Sequence, residues 1–238
     1  MILSYRLPMA LAMTAAPQFL EFSTPCQNVA ESLTWYRQLG FTELFTGDMR
    51  SQQYAVITDG EFCMGLYSND YPSPGLSFVQ QNLATRVRRE LLADIPFEFA
   101  YLGEDEFHEA ALTDPDGTLA VLLEARTFSG ALDSIDTPMI GRLSHIALPC
   151  MRIQDTVAFW QNYGFIAVTT EVNGEEQAEL HTPGLLVALI PGSRKITLQF
   201  KADNIEDSML SIKHEHSVRK IRSGYELIAP EGTRLIIS

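Results

Sequence analysis

Thr24-Pro25-Cys26, followed by a run ending Trp35-Tyr36-Arg37-Gln38-Leu39 and then Gly40-Phe41, returns later in the same chain. The second copy reads Leu148-Pro149-Cys150, a run ending Phe159-Trp160-Gln161-Asn162-Tyr163, and then Gly164-Phe165. The copies align without a gap at an offset of 124 residues, so Pro25 falls on Pro149, Cys26 on Cys150 and Gly40 on Gly164. A self-match at fixed period points to a tandem duplication. In the first copy Val29, Leu33, Tyr36 and Leu39 are spaced as one face of a helix. Gly40 follows as the left-handed residue that ends it.

Working outward, each copy opens a β-α-β-β-β unit. Alternation over Gln18–Ser23 predicts a strand, and Asn28 is placed to cap the helix. Strands are expected at Phe41–Phe45, Gln53–Thr58 and Phe62–Tyr67, with turns at Gly47-Asp48 and Asp59-Gly60. After Tyr71-Pro72-Ser73-Pro74-Gly75 a second unit begins, with Asn82 capping a helix that carries Arg86, Arg88 and Arg89 on a solvated face. Its last hairpin turns at Asp114-Pro115-Asp116-Gly117. A third unit starts at Leu143–Leu148, with turns at Asn173-Gly174 and Pro183-Gly184, and a fourth follows Pro191-Gly192-Ser193 and turns at Pro230-Glu231-Gly232. The expected fold is α+β. Four βαβββ modules pair into two domains with curved mixed sheets and helices on their outer faces, each pair enclosing a concave ligand space. The domains span residues 17–127 (modules 17–70 and 75–126) and 140–238 (modules 142–191 and 195–238).

Composition narrows the partners. Net charge is −13, and it is uneven: residues 1–125 carry 17 acidic residues against six arginines and no lysine. Such a surface argues against nucleic acid and anionic membranes and permits a cationic ligand. No apolar run approaches a membrane span. Leu7–Ala16 is short and broken by Pro8, a poor signal peptide. Cys26, Cys63 and Cys150 are sparse, odd in number and without metal-like spacing, which suits free thiols in the cytoplasm. Monomer and homodimer are both open.

The Gly-Phe helix segments, the Asp-Pro-Asp-Gly and Ala-Pro-Glu-Gly hairpins at Asp114–Gly117 and Ala229–Gly232, and the fourfold βαβββ order together resemble the vicinal oxygen chelate superfamily. Its members include glyoxalases, bleomycin-resistance proteins and extradiol dioxygenases. The resemblance covers nearly all of Gln18–Ser238. It implies a divalent metal (Fe, Mn, Ni or Zn) held by His, His or Gln, and Glu from the first strand of each paired unit and from later strands. Carried over residue by residue, the set is incomplete. His145 stands at the family's first position in the third unit, and Glu21 stands there in the first. Gly75 and Thr197 fall at the second-ligand positions. Val121 and Ile236 fall where the last-strand glutamate belongs.

The ligand-binding candidates are therefore Glu21, His145, His181 and Gln199, with His145 the one metal candidate. Two readings follow. The first is a binding protein for a small molecule, a cation among the candidates, with no cofactor. The second is a metal-dependent lyase or extradiol-type dioxygenase that uses His145 as a ligand. His108, on a third strand, could line the cup but reads, like His181, as an exposed loop-edge residue; His214 and His216 follow the last helix and point apart, which argues against a shared metal; and the cysteines read as small packing residues.

Overall fold

The protein is described by a computed structural model that covers residues 16–47, 53–130, 135–172 and 174–238. Most of the Leu7–Ala16 stretch, Asp48 of the first turn and Asn173 of a later one lie outside these residues. The first unit comprises β1 (Gln18–Cys26), α1 (Val29–Gln38), β2 (Thr42–Leu44), β3 (Tyr54–Thr58) and β4 (Cys63–Ser68). The second comprises β5 (Gly75–Val79), α2 (Leu83–Leu91), β6 (Phe99–Tyr101), β7 (Glu109–Thr113) and β8 (Leu119–Leu123). The third has β9 (Arg142–Cys150), α3 (Ile153–Gln161), β10 (Ile166–Val172), β11 (Glu175–Thr182) and β12 (Leu185–Pro191). The fourth has β13 (Thr197–Lys201), α4 (Ile205–Ile212), β14 (Arg219–Ile221), β15 (Gly224–Ile228) and β16 (Arg234–Ile237).

The strands form two eight-stranded mixed sheets of equivalent order, β2-β3-β4-β1-β5-β8-β7-β6 and β10-β11-β12-β9-β13-β16-β15-β14. In each sheet the two units meet at its centre, through antiparallel pairs β1–β5 and β9–β13. The expected curved sheets do not form. Each order runs from one edge strand to another, and neither sheet curls or closes. The physical reason is the central join: it adds the second unit sideways and leaves the outer strands β2 and β6, or β10 and β14, unpaired with each other.

Side chains from both sheets and all four helices merge in one apolar cluster. Phe78 of β5 packs on Trp160 of α3 at 6.0 Å and on Phe165 at 5.9 Å, and Phe41 packs on Phe200 of β13 at 5.8 Å. The helices therefore fill the space between the sheets, and the opposite sheet faces point away from one another. No helix among the described residues is long and apolar enough to cross a membrane.

The repeated stretch explains how the halves lock. Each copy receives the other half's hairpin. Glu231, in the β15–β16 turn, accepts from Ser32 Oγ at 2.8 Å and from Tyr36 Oη at 2.7 Å on α1. Asp116, in the β7–β8 turn, accepts from Thr156 Oγ1 at 2.8 Å on α3, and Asp114 accepts from Trp160 Nε1 at 3.0 Å. Ser32 and Thr156, and likewise Tyr36 and Trp160, are 124 residues apart, so the same two helix positions do the same task twice. Gly40 (φ +91°) and Gly164 (φ +89°) end α1 and α3 in the left-handed region, where a side chain is strained. A Cβ on Gly40 would stand 3.3 Å from Pro138, and one on Gly164 2.7 Å from Ala16.

Two local expectations change. Asn28 caps α1 through Glu31 N, but Asn82 is itself left-handed (φ +56°) and makes no side-chain cap. Arg86 is not on a solvated face. It is buried, with Nε on Glu90 Oε1 at 2.8 Å, NH1 on Gln80 Oε1 at 2.5 Å and its guanidinium over the Tyr163 ring. A buried guanidinium tolerates burial only with such partners.

Candidate functional site

The outward faces of the two sheets carry the predicted residues. Strand register on the C-terminal sheet sets one row across all eight strands: Ile166, His181, Leu186, His145, Gln199, Ile236, Glu226 and Arg219. The linking pairs are Ile166–His181, His181–Leu186, His145–Gln199, Gln199–Ile236, Glu226–Ile236 and Arg219–Glu226, and Val187–Ile146 sets Leu186 beside His145. Period-two alternation keeps all these side chains on the face away from the helices. His181, His145 and Gln199 therefore share one face and one row. Gln199, rather than Thr197, is the residue opposite His145, because the antiparallel β9–β13 register is set two residues further along. Thr197 pairs with Ala147 in the next row.

The N-terminal sheet repeats this row with different chemistry. Glu21 pairs with Ser77 rather than Gly75, Ser77 with Val121, Val121 with Ala111, and Ala111 with Phe99. Here the row is sealed: Glu21, Ser77, Val121 and Ala111 are each 0% exposed. Leu20, Val56, Tyr67, Tyr71, Leu119, Leu123 and Phe128 build a second apolar cluster over it. The Glu21 carboxylate accepts from Tyr67 Oη at 2.6 Å and Tyr54 Oη at 2.8 Å. Tyr67 lies 4.4 Å from Tyr54 and 4.1 Å from Tyr71, ring to ring. Burial, and then the Glu21 charge, push the Tyr54 hydroxyl pKa well up, so that hydroxyl stays a donor. Gly65 makes the room, because a Cβ there would meet the Glu21 carboxyl at 2.8 Å and the Tyr67 ring at 2.6 Å. Gly65, Tyr54 and Tyr67 were not identified from the sequence; the one signal was a glycine in the middle of an apolar strand.

The C-terminal row is open by contrast. His145, His181 and Gln199 are part-exposed, above buried Ala147 and Ile236. Burial holds the His145 pKa below 6.5, against a smaller upward pull from Glu179, so the ring is neutral at pH 7. Its Nδ1 lies 3.3 Å from Ser144 Oγ. His181 Nε2 lies 3.4 Å from Glu179 Oε2. Further along the row, Arg219 and Arg234 both bind the buried Glu226 carboxylate. Burial raises that carboxyl, but the two guanidinium groups outweigh it and hold its pKa below 4.5.

This donor set does not fit the metal the resemblance implies. His145 and Gln199 are neighbours, but the third place belongs to Ile236, which has no donor. The next carboxylate, Glu226, is already claimed by two arginines. Among the described residues no three His, Cys, Asp or Glu side chains gather as a metal site. His108 lies apart and clasps a loop, with Nδ1 2.6 Å from Glu124 Oε2 and Nε2 2.9 Å from Gly103 O. All three cysteines are free and buried, and burial first of all pushes each thiol up to about 12.

A sizeable cavity lies elsewhere, at the seam between the halves. It measures about 1010 Å³ and is bordered by both hairpin turns, by Pro72–Pro74 and by Arg194–Ile196.

No protein-family model matches the chain, and no curated protein matches it. Solved structures do. A catechol 2,3-dioxygenase aligns over 94% of this chain and 87% of its own, at TM-score 0.59 and 14% identity. The 2,3-dioxygenase LapB from Pseudomonas sp. KL28 aligns over 94% and 92%, at TM-score 0.61 and 17% identity. A variant of homoprotocatechuate 2,3-dioxygenase from B. fuscum aligns over 95% and 73%, at TM-score 0.64 and 14% identity. At these identities the likeness is one of fold: the chain has the architecture of the extradiol dioxygenases.

Proposed function

We propose that this protein binds a small, largely apolar molecule on the outward face of its C-terminal sheet, without a complete metal site. His145 and Gln199 would supply neutral hydrogen bonds over a floor of Leu186, Ala147, Ala188 and Ile236, with His181 at the margin. The observation that carries the reading is the opposite treatment of one row in the two halves. At equivalent places the N-terminal row is 0% exposed from Glu21 to Ala111, while the C-terminal row leaves its histidines and glutamine part-open. Leaving neutral polar groups part-open above an apolar floor suits recognition better than packing. A ligand with one or two neutral hydrogen-bonding groups fits better than a cation, because Glu21 has no exposed surface. The three buried thiols suit a reducing compartment, and we place the protein in the cytoplasm on that ground.

The test is an NMR titration of histidine-labelled protein with catechol and a set of small phenols, chosen because a structurally similar protein is a catechol 2,3-dioxygenase. The His145 ring signals are expected to shift, and the shift to vanish in His145→Ala and fall several-fold in Gln199→Ala. Adding Mn, Fe, Ni or Zn is expected to leave the melting temperature unchanged. A stoichiometric metal bound at His145 would revive the enzyme reading. No response from any probe, or responses confined to the seam cavity, would remove the binding reading.

A further inference from the structure

Four strands edge the two sheets, and three are blunt. β2, β6 and β14 each have three residues; β14 contains Arg219 and Lys220, and β2 gives way at once to Phe45, bridged to Ser129. β10 differs. It runs for seven residues, Ile166-Ala167-Val168-Thr169-Thr170-Glu171-Val172, without proline, lysine or arginine, and among the described residues it pairs only with β11. Ile166 is 71% exposed and Val168 48%, and Thr169, Thr170 and Glu171 are exposed too. A long β-branched edge with a bare ladder of backbone groups is a template for another strand, and proteins normally blunt such edges with charge, proline or shortness. This chain does so at its other three edges.

We infer that β10 is a self-association edge, which pairs antiparallel with β10 of a second copy and joins two C-terminal sheets into one of sixteen strands. The second copy is the occupant because the strand is its own complement. Around a twofold axis at Thr169, Val168 stands opposite Thr170 of the partner subunit, twice, giving two β-branched pairs on the outward face. Glu171 falls opposite Ala167 rather than another carboxylate, so no like charges meet. Twofold pairing of one patch with itself also closes, which yields a dimer and not a fibre.

Sedimentation equilibrium across the micromolar range tests this, with three variants at exposed positions. Wild type is expected to dimerise. V168K/T170K sets lysine against lysine twice and is expected to be monomeric with unchanged circular dichroism. V168K/T170E sets lysine against glutamate in the same register and is expected to restore the dimer. Thr169→Cys brings two thiols together where antiparallel Cα atoms lie about 4.5–5.5 Å apart, within disulfide reach, so mild oxidation is expected to cross-link it. The native cysteines are buried and should not interfere. A wild type that stays monomeric overturns the inference. So does a dimer that survives V168K/T170K while Thr169→Cys fails to cross-link.

Discussion

Removing the Glu231 carboxylate should cost about 3 kcal/mol of stability. The carboxylate takes one hydrogen bond from Ser32 and one from Tyr36, at 2.8 and 2.7 Å. Both donors are buried, at 1% and 0% exposure. A hydrogen bond to a charged group is worth about 1.5–3 kcal/mol, and a buried donor left unmet adds its desolvation cost. Two such bonds would exceed the expected value, but Glu231 is itself part-exposed, so water recovers part of the loss. Glu231→Ala is therefore set against Tyr36→Phe and the double variant in a cycle read by urea unfolding. The coupling should be about 1–2 kcal/mol, in the range for direct contacts. Labelling with 5-fluorotryptophan gives one 19F signal for Trp35 and one for Trp160, so each half can be followed by itself. In Glu231→Ala the Trp35 transition should move to lower urea first. A loss below about 0.5 kcal/mol, or a coupling of zero, would mean that the hairpin merely rests on α1 and would refute the reciprocal lock.

Thiol chemistry and pH give two more tests. Cys26, Cys63 and Cys150, each pushed up to about 12 by burial, should be inert to a thiol-reactive dye at pH 8 in the native protein and react fully on unfolding; fast labelling of any one would contradict its placement. His216 is buried, stacks edge-on against Trp35 at 5.1 Å, and meets no hydrogen-bond partner at either ring nitrogen among the described residues. Burial lowers its pKa from 6.5, so folding favours the neutral ring. Its contribution is intact above about pH 6.5 and is lost as pH falls from there through the depressed value, since the unfolded chain then binds the proton first. His216→Phe should flatten the melting-temperature profile below about pH 6.5; an unchanged slope would show that this ring is not the titrating group.

Much of the architecture was legible because it rests on short-range rules. The spacing of Val29, Leu33, Tyr36 and Leu39 marks a helix, Gly40 marks its end, and Asp114–Gly117 marks a hairpin, whatever surrounds them. The offset of 124 residues carried that reading from one half to the other. Sheet register was less accessible. Counting from hairpin glycines pointed to Val121 and Ile236, but the first-strand partner of His145 was placed at Thr197 and lies at Gln199. An antiparallel register follows from pairing across long separations, and no local pattern reports a displacement of two residues that keeps every side chain on its face.

What the sequence determined by itself was the βαβββ order, its repetition, and the divergence between Glu21 and His145 at one place in the two copies. These follow from periodicity and glycine geometry, which act within a few residues. The tertiary structure decided what the divergence means. Helices between the sheets turned both candidate faces outward; tyrosines 54, 67 and 71 then sealed Glu21 behind aromatic rings, while the row of His145 and Gln199 stayed open. Burial depends on what folds over a face from distant parts of the chain, so it was decided only when the whole chain had packed.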